Sequence, residues 1–212
     1  VNGVPVVTME LKNPLSGQTV ADAMKQYRKD RDPREPIFRF TKRALVHFAV
    51  DTEEAHMTTR LAESSTYFLP FNGGLDPSGE GKAASGAGNI AVKGQDYKTG
   101  YLWDEILCRE SLLDLLARFL HLKVEEKTTD EGKRVRKETM IFPRFHQLRA
   151  VRKLVGMAQS EGVGHNYLVE HSAGSGKSNT IAWLAHRLSS LHNASDERVF
   201  DSVVVITDRI IL

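Results

Sequence analysis

Cysteine is nearly absent from this chain. Cys108 is the only one in 212 residues, which excludes a disulfide framework and a thiolate zinc cluster and fits a reducing, cytoplasmic setting. Long apolar runs are missing as well, so neither a membrane span nor a secretory leader is read. Neither sign of charge dominates: the formal net charge is +2, and overall charge therefore neither requires nor forbids a nucleic-acid partner. Against these absences stand 41% hydrophobic and 26% charged residues. That is the composition of an ordered chain with one or two cores.

The most informative segment is Tyr167-Leu-Val-Glu-His-Ser-Ala-Gly-Ser-Gly-Lys-Ser178. A short apolar stretch runs into small residues and then into the helical pattern Ile181, Leu184, Ala185, Leu188, Leu191. In such a turn, Gly174, Ser175 and Gly176 let backbone N–H groups converge on polyphosphate oxygens at the positive end of the helix. Lys177 would reach the β- and γ-phosphates of ATP, and Ser178 would ligate Mg²⁺. The pattern G-x-x-x-x-G-K-[ST] is met except at its first position, held by His171. An ordinary Gly/Ser turn between strand and helix is the alternative. Tyr167 to Val169 and Val203-Val-Val-Ile206 are expected as strands on either side of the helix, a β–α–β order that implies a parallel sheet.

At the other end, Val4-Pro-Val-Val-Thr-Met-Glu-Leu-Lys12 reads as a strand. Period two places Glu10 and Lys12 on one face, where Glu10 with the Leu11 carbonyl could ligate Mg²⁺ and Lys12 could orient water or stabilise a phosphorane, as in a metal-dependent nuclease. Three further Glu-x-Lys pairs, Glu80/Lys82, Glu125/Lys127 and Glu131/Lys133, fall in glycine-rich or polar segments and read as solvated charge. The first pair alone ends a β-branched strand. A surface pair there remains the alternative reading.

A helix is expected from Val20 to Asp30 with Thr19 as its cap, and Val20, Ala23, Met24 and Tyr27 on one face. Ala44 to Val50 reads as a buried strand, with His56–Leu61 and Ser65–Leu69 as a following hairpin; His47, inside the strand and lacking a nearby His or Cys, reads as structural. Residues 72–100 hold eight of the sixteen glycines and read as a long loop. No strand precedes Gly79-Glu-Gly81 or Gly86-Ala-Gly88, so neither is a dinucleotide fingerprint. Tyr101 to Leu122 is expected as one helix, and Lys123 to Lys137 as an exposed turn or linker, or alternatively a basic strip against DNA.

Taken in order, these segments resemble one family over essentially the whole chain: the R (restriction and motor) subunit of type I restriction–modification enzymes. The resemblance rests on Thr8-Met-Glu-Leu-Lys-Asn13, Gln26-Tyr-Arg-Lys-Asp-Arg-Asp-Pro33, Leu45-Val-His-Phe-Ala-Val-Asp51 with Thr66-Tyr-Phe-Leu-Pro-Phe-Asn72, Tyr101-Leu-Trp-Asp-Glu105, Pro143-Arg-Phe-His-Gln-Leu148, His171 to Ser178, and Ile206-Thr-Asp-Arg209. It implies that Glu10 and Lys12 are the E-x-K half of a PD-(D/E)xK site, whose aspartate would lie upstream of Val1. Tyr27 fits the tyrosine of a Gln-x-x-x-Tyr element that contacts DNA, but Ala23 stands where its glutamine is expected. By resemblance, Gln147 reads the adenine of ATP and Thr207 and Arg209 touch the DNA backbone, a contact without sequence preference. Gly174, Gly176, Lys177 and Ser178 match the family's phosphate loop, which accommodates His171.

The implied architecture is α/β: residues 1–75 as the later part of a PD-(D/E)xK nuclease domain, 76–140 as a connector, and 141–212 as the start of a RecA-like superfamily 2 motor domain. The implied activity is ATP-dependent translocation of double-stranded DNA coupled to Mg²⁺-dependent, nonspecific cleavage, with specificity (S) and methyltransferase (M) subunits as partners and no membrane. The chain reads as a piece of a longer polypeptide, inactive by itself. Two other readings stay open: a superfamily 2 helicase or other P-loop ATPase with an unrelated N-terminal domain, and a noncatalytic DNA-binding or assembly module.

Overall fold

The computed structural model describes residues 1–74, 88–91, 94, 97–128, 132 and 134–207. Its contacts divide the chain into two compact units, Val1–Arg144 and Phe145–Leu212.

In the first unit the β-branched run forms strand β1, Val7–Leu11, and the helix α1, Val20–Lys29, follows it. Strand β2, Val46–Val50, is buried along its whole length, as a continuous apolar run requires. Strands β3, Ala55–Thr58, and β4, Leu69–Pro70, complete a sheet of order β1-β2-β3-β4. β1 and β2 are parallel, with Thr8 opposite His47 and Glu10 opposite Ala49. The pairs β2–β3 and β3–β4 are antiparallel. A parallel pair needs a crossover, and α1 supplies it.

Asp51, at the end of β2, fixes where α1 begins. Its Oδ2 accepts the Val20 N–H at 2.7 Å, while Oδ1 accepts the N–H groups of Glu53 and Glu54 at 2.8 Å each. One buried carboxylate thus satisfies a helix N-terminus and closes the β2–β3 turn. Ala23 and Tyr27 of α1 pack with Ala49, Leu61 and Phe68, and Val20, Met24 and Phe38 cover them.

Within 72–100, expected as a loose loop, the described residues are tied to this sheet. Asn89 donates to Asn72 Oδ1 at 3.0 Å and to the Glu53 carbonyl at 2.9 Å, and Thr99 donates to the Asp51 carbonyl at 2.7 Å. Gly79, Gly81 and Gly86, and the pairs Glu80/Lys82 and Glu131/Lys133, lie outside the described residues.

Two expectations for the connector are corrected. Tyr101–Leu122 is not one helix: a π-helical turn, Leu102–Ile106, is followed by helix α2, Arg109–Asp114, and a second π-helical turn, Leu115–Phe119. Leu102 and Ile106 of the first π-helical turn, and Leu115 and Phe119 of the second, are buried. Segment 123–137 is not a linker. It belongs to an antiparallel hairpin of β5, His121–Thr128, and β6, Arg134–Ile141. Glu125 stands opposite Lys137 and Glu126 opposite Arg136, so charges of opposite sign face each other in the register of the ladder.

The second unit contains α3, Phe145–Glu161, and α4, Lys177–Ser189. Phe145, Leu148, Val151, Val155 and Ala158 from α3 and Trp183 from α4 are buried. The two expected strands do not form: 167–169 and 203–206 are unpaired, with Leu168 95% and Ile206 89% exposed. Apolar runs of this kind become strands when neighbours close both edges and both faces, and among the described residues of this unit none do.

Candidate functional site

Two candidate sites emerge, one in each unit. In the first, alternation along β1 directs Thr8, Glu10 and Lys12 to the face covered by α1. Each finds a partner on that helix or just past it. Thr8 Oγ lies 2.8 Å from the Tyr27 hydroxyl, Lys12 Nζ donates to Gln26 Oε1 at 2.5 Å, and Arg31 donates to Glu10 Oε1 from Nε at 2.6 Å and Nη2 at 2.5 Å. Glu10 is mostly buried beside this guanidinium. The structure therefore brings Glu10 and Lys12 together and adds Gln26 and Arg31, which the sequence reading missed. The signal for them was present: both lie on or near the α1 face next to Tyr27, within Gln26 to Pro33, the segment already singled out.

Tyr27 lies on the buried face of α1, where the helix pattern puts it. It is 1% exposed, and its ring lies among Phe38, His47 and Phe68. Burial pushes its hydroxyl well above the ordinary phenol range. In this arrangement Tyr27 is a core residue whose hydroxyl meets Thr8. His47, also 1% exposed, lies 2.7 Å from Thr8 Oγ through Nδ1, and burial holds its pKa down to about 4. That agrees with a structural, neutral histidine.

As a metal site, the donor set is partial. Among the described residues no group of three His, Cys, Asp or Glu side chains could hold an ion. Mg²⁺ commonly binds one or two carboxylates and completes its shell with phosphate and water. Glu10 offers one carboxylate, whose Oε1 is engaged by Arg31.

In the second unit the loop 171–176 enters α4. Gly174 and Gly176 have φ of +73° and +84°, which admits glycine and strains other residues. Lys177 Nζ donates to the carbonyls of His171 and Ser172, both at 3.1 Å, so the ammonium lies back across the loop. Ser178 and Gly174 are exposed. The hydroxyl of Ser175 is buried without a hydrogen-bond partner, an unmet bond inside the turn. His171 has its pKa lowered by burial and by Lys177; its ring meets His146 edge-on at 5.0 Å.

Gln147 lies beneath this loop, its amide bonded to loop carbonyls. Thr207 is in unpaired chain, and Arg209 lies outside the described residues.

Residues 1–66 match the family model described as type I restriction enzyme R protein N terminus. No curated protein and no solved structure matches the chain.

Proposed function

We propose that this chain is part of the restriction subunit of a type I restriction–modification enzyme, proceeding from its match, through residues 1–66, to the N-terminal segment of such R proteins. In this reading the first unit contributes to a PD-(D/E)xK nuclease and the second to a RecA-like ATP-driven motor. ATP hydrolysis moves double-stranded DNA, and cleavage is Mg²⁺-dependent and nonspecific. Site recognition belongs to the S and M partners.

The observation that carries the nuclease half is the common face of Glu10 and Lys12 against α1, inside the matched segment. When bound, Mg²⁺ would supply Lewis-acid stabilisation of the scissile phosphate. Glu10 offers it one carboxylate, and Arg31 holds that carboxylate in place. Gln26 holds the Lys12 ammonium by its Oε1, aimed where charge develops on a phosphate rather than free in solvent. The loop before α4, with Lys177 and Ser178, takes the phosphates of ATP in the motor half.

The test compares wild type, Glu10→Ala and Lys177→Ala in the full enzyme assembled with its S and M partners. Glu10→Ala should reduce cleavage at least a hundredfold and leave ATP turnover intact; Lys177→Ala should abolish both. Normal cutting by Glu10→Ala would remove the nuclease half of the proposal.

A further inference from the structure

The phosphate loop is held from behind by the first turn of α3. Gln147 is 2% exposed, and its amide nitrogen donates to the carbonyls of Ser175 at 3.2 Å and Gly176 at 2.9 Å. His146 Nε2 reaches the same Ser175 carbonyl at 3.2 Å. An amide nitrogen carries two hydrogens, and the loop takes both.

The peptide plane turns this anchoring into a statement about donors. In a trans peptide, C=O and N–H point in opposite directions. Fixing the carbonyls of Ser175 and Gly176 towards Gln147 therefore fixes the N–H groups of Gly176 and Lys177 away from it. These two amides open α4, where a helix N-terminus receives anions. A Cβ at Gly176 would stand 2.5 Å from Gln147 Nε2, so a side chain there would displace the amide.

We infer that Gln147 is a positioning residue of the phosphate-binding loop, pinning the Ser175 and Gly176 carbonyls so that the Gly176 and Lys177 N–H groups face a polyphosphate. The inference rests on the proposed reading of this loop as a polyphosphate site. It differs from the adenine contact that the family resemblance assigns to Gln147. A bidentate contact to adenine needs a hydrogen on the amide nitrogen for the base, and here both are engaged by the loop.

Three probes separate the roles: MgADP, MgGDP and inorganic tripolyphosphate, titrated calorimetrically against the full chain as wild type, Gln147→Ala, Gln147→Glu and Lys177→Ala. Gln147→Glu keeps the shape, but a carboxylate only accepts and loses both bonds. The expected result is that both Gln147 variants weaken all three probes by the same factor, roughly thirtyfold for two lost hydrogen bonds, with an unchanged ratio of ADP to GDP affinity. Loss of ADP binding with tripolyphosphate binding retained would overturn the inference in favour of a base contact. Amide hydrogen exchange in the wild type gives a readout that needs no variant: tripolyphosphate should protect Gly176 and Lys177, and absence of that protection would equally overturn it. If wild type binds none of the probes, or Lys177→Ala binds them unchanged, the polyphosphate reading itself fails and the role of Gln147 falls with it.

Discussion

At the scale of single residues, the buried His47, bonded to the half-buried Thr8, makes the first unit sensitive to acid. The His47 pKa is held at about 4 by burial, whereas an unfolded histidine titrates near 6.5. Above about pH 6.5 the imidazole is neutral in both states and its contribution to stability is complete. Between there and pH 4 the unfolded chain takes up a proton that the folded chain refuses, so stability falls as pH falls, by about 3 kcal/mol over the window. Denaturant unfolding at pH 7, 5.5 and 4.5 should show the decline in wild type, and His47→Gln should show less of it. Equal slopes for the two proteins would mean that carboxylates alone govern the acid response. The neutral, structural His47 was legible in the sequence from its place in an apolar strand. The burial of Tyr27 was legible too, from its position on the apolar face of α1. Gln26 and Arg31 were not legible, because a helix pattern reports which residues face inward and not which polar neighbours reach the rim of a facing strand.

At the scale of elements, the β5–β6 hairpin shows where patterning gives out. Its strands expose Leu122, Val124 and Val135, so no clean inside–outside alternation marks them. Its ion pairs run along the strands, Lys123 to Glu125 at 2.8 Å and Arg136 to Glu138 at 2.7 Å. A two-stranded ribbon is marginal in water, and the anchors lie at its base. Thr59 Oγ1 donates to the Met140 carbonyl at 2.8 Å, and Phe142 packs against Phe48 and Phe71 with centroids 6.0 Å away from each. Phe142→Ala should therefore destabilise the first unit by roughly 3–5 kcal/mol and strip hydrogen-exchange protection from β5 and β6 first. Thr59→Val should cost only about 1 kcal/mol. If the hairpin amides kept full protection in Phe142→Ala, the ribbon would have to be held by its own cross-strand pairs.

At the scale of the whole molecule, the two units differ in how completely they bury their apolar sequence. The first closes a four-stranded sheet under α1. Among its described residues the second has two helices, and leaves Leu168, Val204, Val205 and Ile206 exposed. Those apolar segments were legible as buried-strand material, but the capacity for burial is local while the ladder partner that realises it is not. A unit of this size with so little covered surface is marginal. Calorimetry of the chain should then resolve two transitions, the lower one belonging to Phe145–Leu212. The two perturbations already described should separate them. Acidification from pH 7 to 4.5 should lower the upper transition through His47. Tripolyphosphate at a hundred times its dissociation constant should stabilise the lower one by about 2.7 kcal/mol and leave the upper one in place. A single transition that responds to both would show that the units unfold together, and a ligand response confined to the upper transition would put the polyphosphate site in the wrong half of the chain.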